Sequence, residues 1–184
     1  IKDKLSPETS DNVDVISGET TPVLNDQVFL GGDSTDASNG VLSSDGTKVY
    51  FLRSPVVSNT TIADTFRDFI QQHELSTAFD VTTLNNTPIH TLDIESRDNS
   101  PAGLAIKSDG TKIYFLGREG DKVYEYTLSS AWDLSTATFI DDVGIGAAVT
   151  GTAQGLSFST DGSRMFIKDS ANDTAHSFDL SKAC

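Results

Sequence analysis

Ala102–Leu116 reads AGLAIKSDGTKIYFL, and this stretch decides the fold. Gly103 to Ile106 is a short apolar run that suits a strand buried on both faces. Ser108-Asp109-Gly110-Thr111 follows, and an Asp-Gly pair between two apolar runs predicts a tight hairpin. Gly110 supplies the positive φ, while Asp109 bonds nearby backbone amides. Lys112 to Leu116, rich in β-branched and aromatic residues, is the returning strand. The stretch then recurs: Asn39–Leu52 reads NGVLSSDGTKVYFL and Gln154–Ile167 reads QGLSFSTDGSRMFI. A second phrase follows each copy, LSTAFDVTT from Leu75, LSSAWDLST from Leu128 and LSKAC from Leu180 to Cys184. Internal repeats of this kind set the architecture before any local reading does.

The middle copy shows the whole unit. Lys122–Leu128, KVYEYTL, alternates, with Tyr124, Tyr126 and Leu128 on one face, as a half-buried third strand does. Trp132 is expected to fold back as an anchor, with Phe79 its counterpart. Ala137 to Ile140 supplies a fourth strand. Four antiparallel strands with a fixed aromatic phrase describe a propeller blade. The expected fold is therefore all-β: a propeller-like array of three four-stranded antiparallel units spanning 39–94, 102–143 and 154–184. They form a domain over 26–184, preceded by an N-terminal arm over 1–25. Asp45, Gly46, Asp109, Gly110, Asp161 and Gly162 recur in every unit. A turn-former must recur and a catalytic residue seldom does, so these six read as structural turns.

Spacing locates two irregularities. The first two Asp-Gly pairs are 64 residues apart but the first two Leu-Ser phrases only 53, so an 11-residue insertion lies in the first unit. It falls within Arg53 to Ile70, with a short helical turn expected over Ile62 to Ile70. Insertions in repeat proteins map to loops, often on the binding face. The third unit stops before a fourth strand, whereas Asp26 to Leu30, DQVFL, stands where a preceding unit's fourth strand belongs. Val28, Phe29 and Leu30 are thus the expected assembly strand, completing the last unit in cis or from a neighbouring subunit. Ile1 to Leu24 reads as an arm that docks on another subunit or as a leader. An unpaired edge strand is an association site by default, so the expected partner is a second copy, joined by strand exchange.

Composition narrows the partners. Among 184 residues, 13 Lys and Arg stand against 27 Asp and Glu, a net charge of -14. That balance argues against nucleic acid and anionic lipid, both of which need a basic footprint. No apolar run approaches the length of a membrane span. Cys184 is the only cysteine, so no disulfide forms within the chain. The chain begins at Ile1, as expected of a processed chain or of part of a longer one. Ser, Thr, Asp, Asn and Gly dominate the links, which suits a location outside the cell, on a cell surface or in a virion.

With the unit laid out, S-D-G-T-K-[VI]-Y-F-L and L-S-x-A-[FW]-D-[VL]-[ST]-T resemble a loose group of β-propeller-like repeats. These occur in surface proteins of environmental bacteria and in phage virion proteins, and VYEYTLSSAWDLST over Val123 to Thr136 is the best match. The resemblance covers Asn39 to Cys184 and implies display, adhesion or assembly more than catalysis.

The candidate sites are few. His73 and His176 fall at the registers of Tyr126 and Tyr124 and read as packing substitutions; His90 sits in a fourth strand, pointing outward. Neither of the first two has a second metal ligand at useful spacing. No Ser-His-Asp set, G-x-S-x-G or phosphate-cradling loop appears. Asp33, Asp36 and Asn39 space three oxygen side chains by three in a Gly-bounded loop. Calcium, which wants many oxygen ligands, is the one cofactor they suit; a plain polar loop is the alternative, and no other cofactor is expected. Asp141-Asp142 reads as a further acidic turn. Within the insertion, Arg53, Asp64, Arg67 and Asp68 are the candidate ligand-binding residues, for a glycan or another surface protein.

The expected role is a non-enzymatic structural or assembly protein of an extracellular filament or phage virion. Adhesion or glycan binding is the first alternative and a propeller hydrolase the second.

Overall fold

The computed structural model describes residues 35–55, 68–146, 149 and 152–181. They form three antiparallel sheets of four, four and three strands, with no α-helix among the described residues. The first sheet holds β1 (Thr35–Leu42), β2 (Lys48–Pro55), β3 (Phe69–Glu74) and β4 (His90–Asp93) in that order. The second repeats it with β5 (Pro101–Ile106), β6 (Lys112–Gly117), β7 (Lys122–Leu128) and β8 (Ala137–Gly144). The third has β9 (Ala153–Phe158), β10 (Arg164–Asp169) and β11 (Thr174–Asp179). No fourth strand of that sheet lies among the described residues. Val28, Phe29 and Leu30, the expected connector, lie outside them.

β5 lies against both β1 and β9, so the opening strands are the innermost and the sheets stack face to face around them. Each opening strand carries one extra residue in its pairing with the next: between Ala37 and Asn39, between Pro101 and Gly103, and between Gln154 and Leu156. A bulge of this kind bends a strand and raises its twist. At Gly103 the backbones come so close that a Cβ would sit 2.9 Å from the Leu156 amide nitrogen. A side chain there would push the second and third sheets apart.

Two cores fill the spaces between sheets. Tyr50, Leu52 and Ile70 of the first sheet meet Ile113, Phe115, Tyr124 and Tyr126 of the second. Tyr114, Leu116 and Val123, from the second sheet's other face, meet Met165 and Ile167 of the third. Strand alternation explains the division, because neighbouring residues of one strand point to opposite faces.

Several sequence expectations change. Asp36 and Asn39 belong to β1, not to a loop, because the bulge lets pairing with β2 continue back to Thr35. Asp141 and Asp142 are not a turn either: β8 runs past Ile140 through a further bulge opposite Glu125 and Tyr126. There the Lys122 ammonium holds Asp142 at 2.8 Å. The insertion is shorter than its expected bounds, because Arg53 pairs with Phe69 as strand. Of the expected helical turn, Phe69 and Ile70 are strand, and 62–67 lie outside the described residues.

Candidate functional site

The hairpin turns show why their sequence is fixed. Asp45 Oδ1 accepts the Ser43 hydroxyl at 2.6 Å, the Thr47 amide at 3.0 Å and the Thr47 hydroxyl at 2.8 Å. Lys107, then Thr111, holds Asp109 down at about 2, and Ser159, then Ser163, does the same for Asp161. Gly46, Gly110 and Gly162 have φ of 69°, 72° and 67°. Gly110 has a second reason to be glycine, since any Cβ there would run into the Trp132 ring.

That ring arrives through the second repeated phrase. Phe79 and Trp132 have φ of 61° and 62° and donate their amides to Gly46 and Gly110 carbonyls, each at 2.9 Å. Asp80 and Asp133 then cap three-residue 3-10 turns, Val81–Thr83 and Leu134–Thr136, by accepting the amides of Thr82 and Ser135. An Asp followed two residues later by Ser or Thr was the sequence signal for these turns.

Of the candidate ligand-binding residues, Arg53 and Asp68 are described, at the base of the insertion; Asp64 and Arg67 lie outside the described residues. Arg53 Nη1 donates to Gln71 Oε1 at 2.9 Å, while its Nε is buried without a partner among the described residues. Burial pushes the Asp68 carboxyl up, the Ser54 hydroxyl partly offsets this, and Glu95, Asp98 and Asp93 add to the rise. For the metal candidates, Asp33 lies outside the described residues. No group of three His, Cys, Asp or Glu side chains suited to an ion occurs among those described.

The feature that sequence reading missed is the outward face of the first sheet. Leu42, Val49, Phe51, Leu75, Val81 and Leu84 line an apolar groove of about 260 Å³ there, floored by Gly40. In the second unit the same repeat positions hold Ile106, Ile113, Phe115, Leu128, Leu134 and Ala137. Every one of these belongs to, or packs on, the core against the first sheet. The groove is therefore lined at these positions as an inter-sheet seat is lined, yet Leu42 is 41% exposed, and Phe79, the counterpart of Trp132, is 54% exposed.

His73 sits on that face, edge-on to Phe51 at 5.5 Å. Its Nδ1 lies 2.8 Å from the Asn85 carbonyl oxygen, which can only accept, so Nδ1 carries the proton and Nε2 the lone pair. Nε2 is buried without a partner among the described residues. Burial lowers the His73 pKa, the Asn85 carbonyl partly offsets this, and the Arg53 charge lowers it further. The unfolded chain therefore binds a proton more readily, and the stability His73 contributes is lost as pH falls below its ordinary value of 6.5. Melting temperatures should drop between about pH 7.5 and about pH 5. His73→Phe should flatten that slope; an unchanged slope would assign it to other groups.

A stack of antiparallel sheets radiating from inner strands is the class of architecture these observations define. No protein-family model matches the chain, and no curated protein matches its sequence. Solved structures match the fold. A "putative 6-phosphogluconolactonase" of Bacteroides fragilis superposes with a TM-score of 0.54 at 13% identity, over 79% of this chain and 36% of that one. Kuenenia stuttgartiensis hydrazine synthase gives 0.47 at 13% identity, over 80% and 46%. The β-propeller domain of Myceliophteria thermophila Cps50 (Swd1) gives 0.45 at 8%, over 80% and 55%. The chain spans from about a third to just over half of these structures' lengths. The Bacteroides likeness corrects one expectation. The repeat architecture leads one to expect a chain that is not an enzyme, but this fold also carries a protein bearing an enzyme's name. Fold alone therefore supplies no ground for ruling out catalysis.

Proposed function

We propose that the chain is a propeller-type assembly module that works by seating a further blade on the outward face of its first sheet. One observation carries this: at six repeat positions the groove has the apolar lining with which the second sheet receives the first. Burying such a lining is favourable at about 25 cal/mol per Å² of apolar surface, and contiguous exposed apolar surface marks interaction sites. The setting that fits the acidic, Ser- and Thr-rich chain is a cell surface or a virion. In a chain carrying Leu42→Cys, a water-soluble thiol reagent should label position 42 far more slowly than a cysteine placed at Val143, which is 50% exposed on β8. Equal rates would mean an open groove and would end the reading.

Hydrolysis is a second reading, favoured by Asp68, a buried carboxyl at the base of the insertion that burial pushes up. Opening of a sugar lactone should then exceed the buffer rate and be lost in Asp68→Asn with the melting temperature kept. No acceleration over buffer would dismiss it.

A further inference from the structure

We infer that the blade seated in the groove belongs to a second copy of this chain and is its third sheet, docked through Phe166. The inference rests on the assembly reading above and names the partner for that same surface. Phe166 occupies the repeat position of Tyr50 in the first sheet and of Tyr114 in the second. Each of those tyrosines fills the seat offered by the next sheet. The Tyr50 hydroxyl donates to the Trp132 carbonyl at 2.6 Å, and its ring lies 6.3 Å from the indole. Tyr114 packs 4.6 Å from Phe158. Phe166, however, is 38% exposed, because no described sheet follows the third.

The two ends of the stack are thus the two halves of one interface type. Phe79 waits where Trp132 receives Tyr50, and Leu42 waits where Phe158 receives Tyr114. Phenylalanine also suits the docked position, having no hydroxyl to satisfy at a new interface. The polar portions correspond as well. Lys168 replaces the buried Leu52 and Leu116 on the donating face, while Gln71 and His73 replace Tyr124 and Tyr126 on the receiving face. An interface apolar at one end and polar at the other is wetter than the two internal ones, which suits reversible association.

Head-to-tail contact between unlike faces is heterologous and either closes into a ring or runs on as a filament. Two chains bring six sheets, within the range of about four to eight blades at which propellers close. A closed pair therefore uses both grooves and both Phe166 faces.

Sedimentation of the full chain tests this. The wild type should run at twice the mass of the chain. Phe166→Glu and Val81→Glu should each run as monomers, with circular dichroism unchanged. Mixed together, the two variants should recover a dimer, because the first keeps an intact groove and the second an intact Phe166 face. A symmetric interface using one patch twice would give no such rescue, and its failure overturns the inference. A wild-type monomer also overturns it. If position 42 is nonetheless protected from the thiol reagent, the seat is filled from within the chain and the assembly reading survives. If position 42 is open, both fall.

Discussion

Replacing Phe115 with alanine lowers the unfolding free energy by about 3 to 5 kcal/mol. The ring is fully buried, stacked on Tyr124 at 4.6 Å and 13°, and 6.3 Å from Tyr126. It stands where the second sheet receives Leu104 of its own inner strand and Tyr50 and Leu52 of the first sheet. The sheets' strands are hydrogen-bonded and do not collapse readily into a void, so the cavity persists and its cost is added to the lost transfer energy. For a domain whose total stability is about 5 to 15 kcal/mol, urea denaturation should show a midpoint moved to much lower concentration. A shift of under about 1 kcal/mol would mean that the two sheets are not joined through this ring.

Asp98→Ala is expected to cost about 3 kcal/mol, through the loss of charge-assisted bonds and the stranding of buried donors. Asp98 is 2% exposed, and its Oδ1 accepts the Ser100 amide at 2.9 Å while Oδ2 accepts the Gly120 amide at 2.8 Å. The carboxylate fills the space left by Gly117, where any Cβ would collide with it. In the third sheet the position of Gly117 is Asp169, whose own carboxylate accepts the Ala171 amide at 3.0 Å and the Asn172 side-chain amide at 2.7 Å. One buried carboxylate thus serves the same turn from two different places in the chain. Gly117→Asp alone should be at least as damaging as Asp98→Ala, since two carboxylates would share one site. Combined with Asp98→Gly, it should recover much of the loss, a coupling of about 2 kcal/mol in a double-mutant cycle. Additive losses would show that Asp98 and Asp169 are not interchangeable.

The hairpins were legible in the sequence because Asp-Gly flanked by apolar runs is a local signal, complete within about ten residues. The four-strand unit and the place of the insertion followed from counting between copies. The role of Asp98 was not legible. Nothing next to Gly117 announces that a carboxylate 19 positions earlier occupies its missing side chain. The loop reading of Asp36 and Asn39 failed for a related reason, because small polar residues suit a loop but also suit a bulged inner strand paired on one side. In the sequence, spacing marked out Arg53 and Asp68 as candidates, whereas His73 read only as a packing substitution. Its buried, unprotonated Nε2 depends on Asn85, which reaches it from the far side of the 3-10 turn.

By itself, then, the sequence determined most of the strands, their hairpin turns and the repeat that groups them. Each of these rests on hydrogen bonds and side-chain alternation among neighbours in the chain. Only the tertiary structure decided which face of each sheet is covered. Contacts such as Tyr50 to Trp132, 82 residues apart, set that choice by stacking one sheet on the next. Among the described residues, stacking leaves one seat uncovered on the first sheet and one aromatic exposed on the third, and strand alternation, which repeats with the same period in all three units, does not by itself say which face is covered.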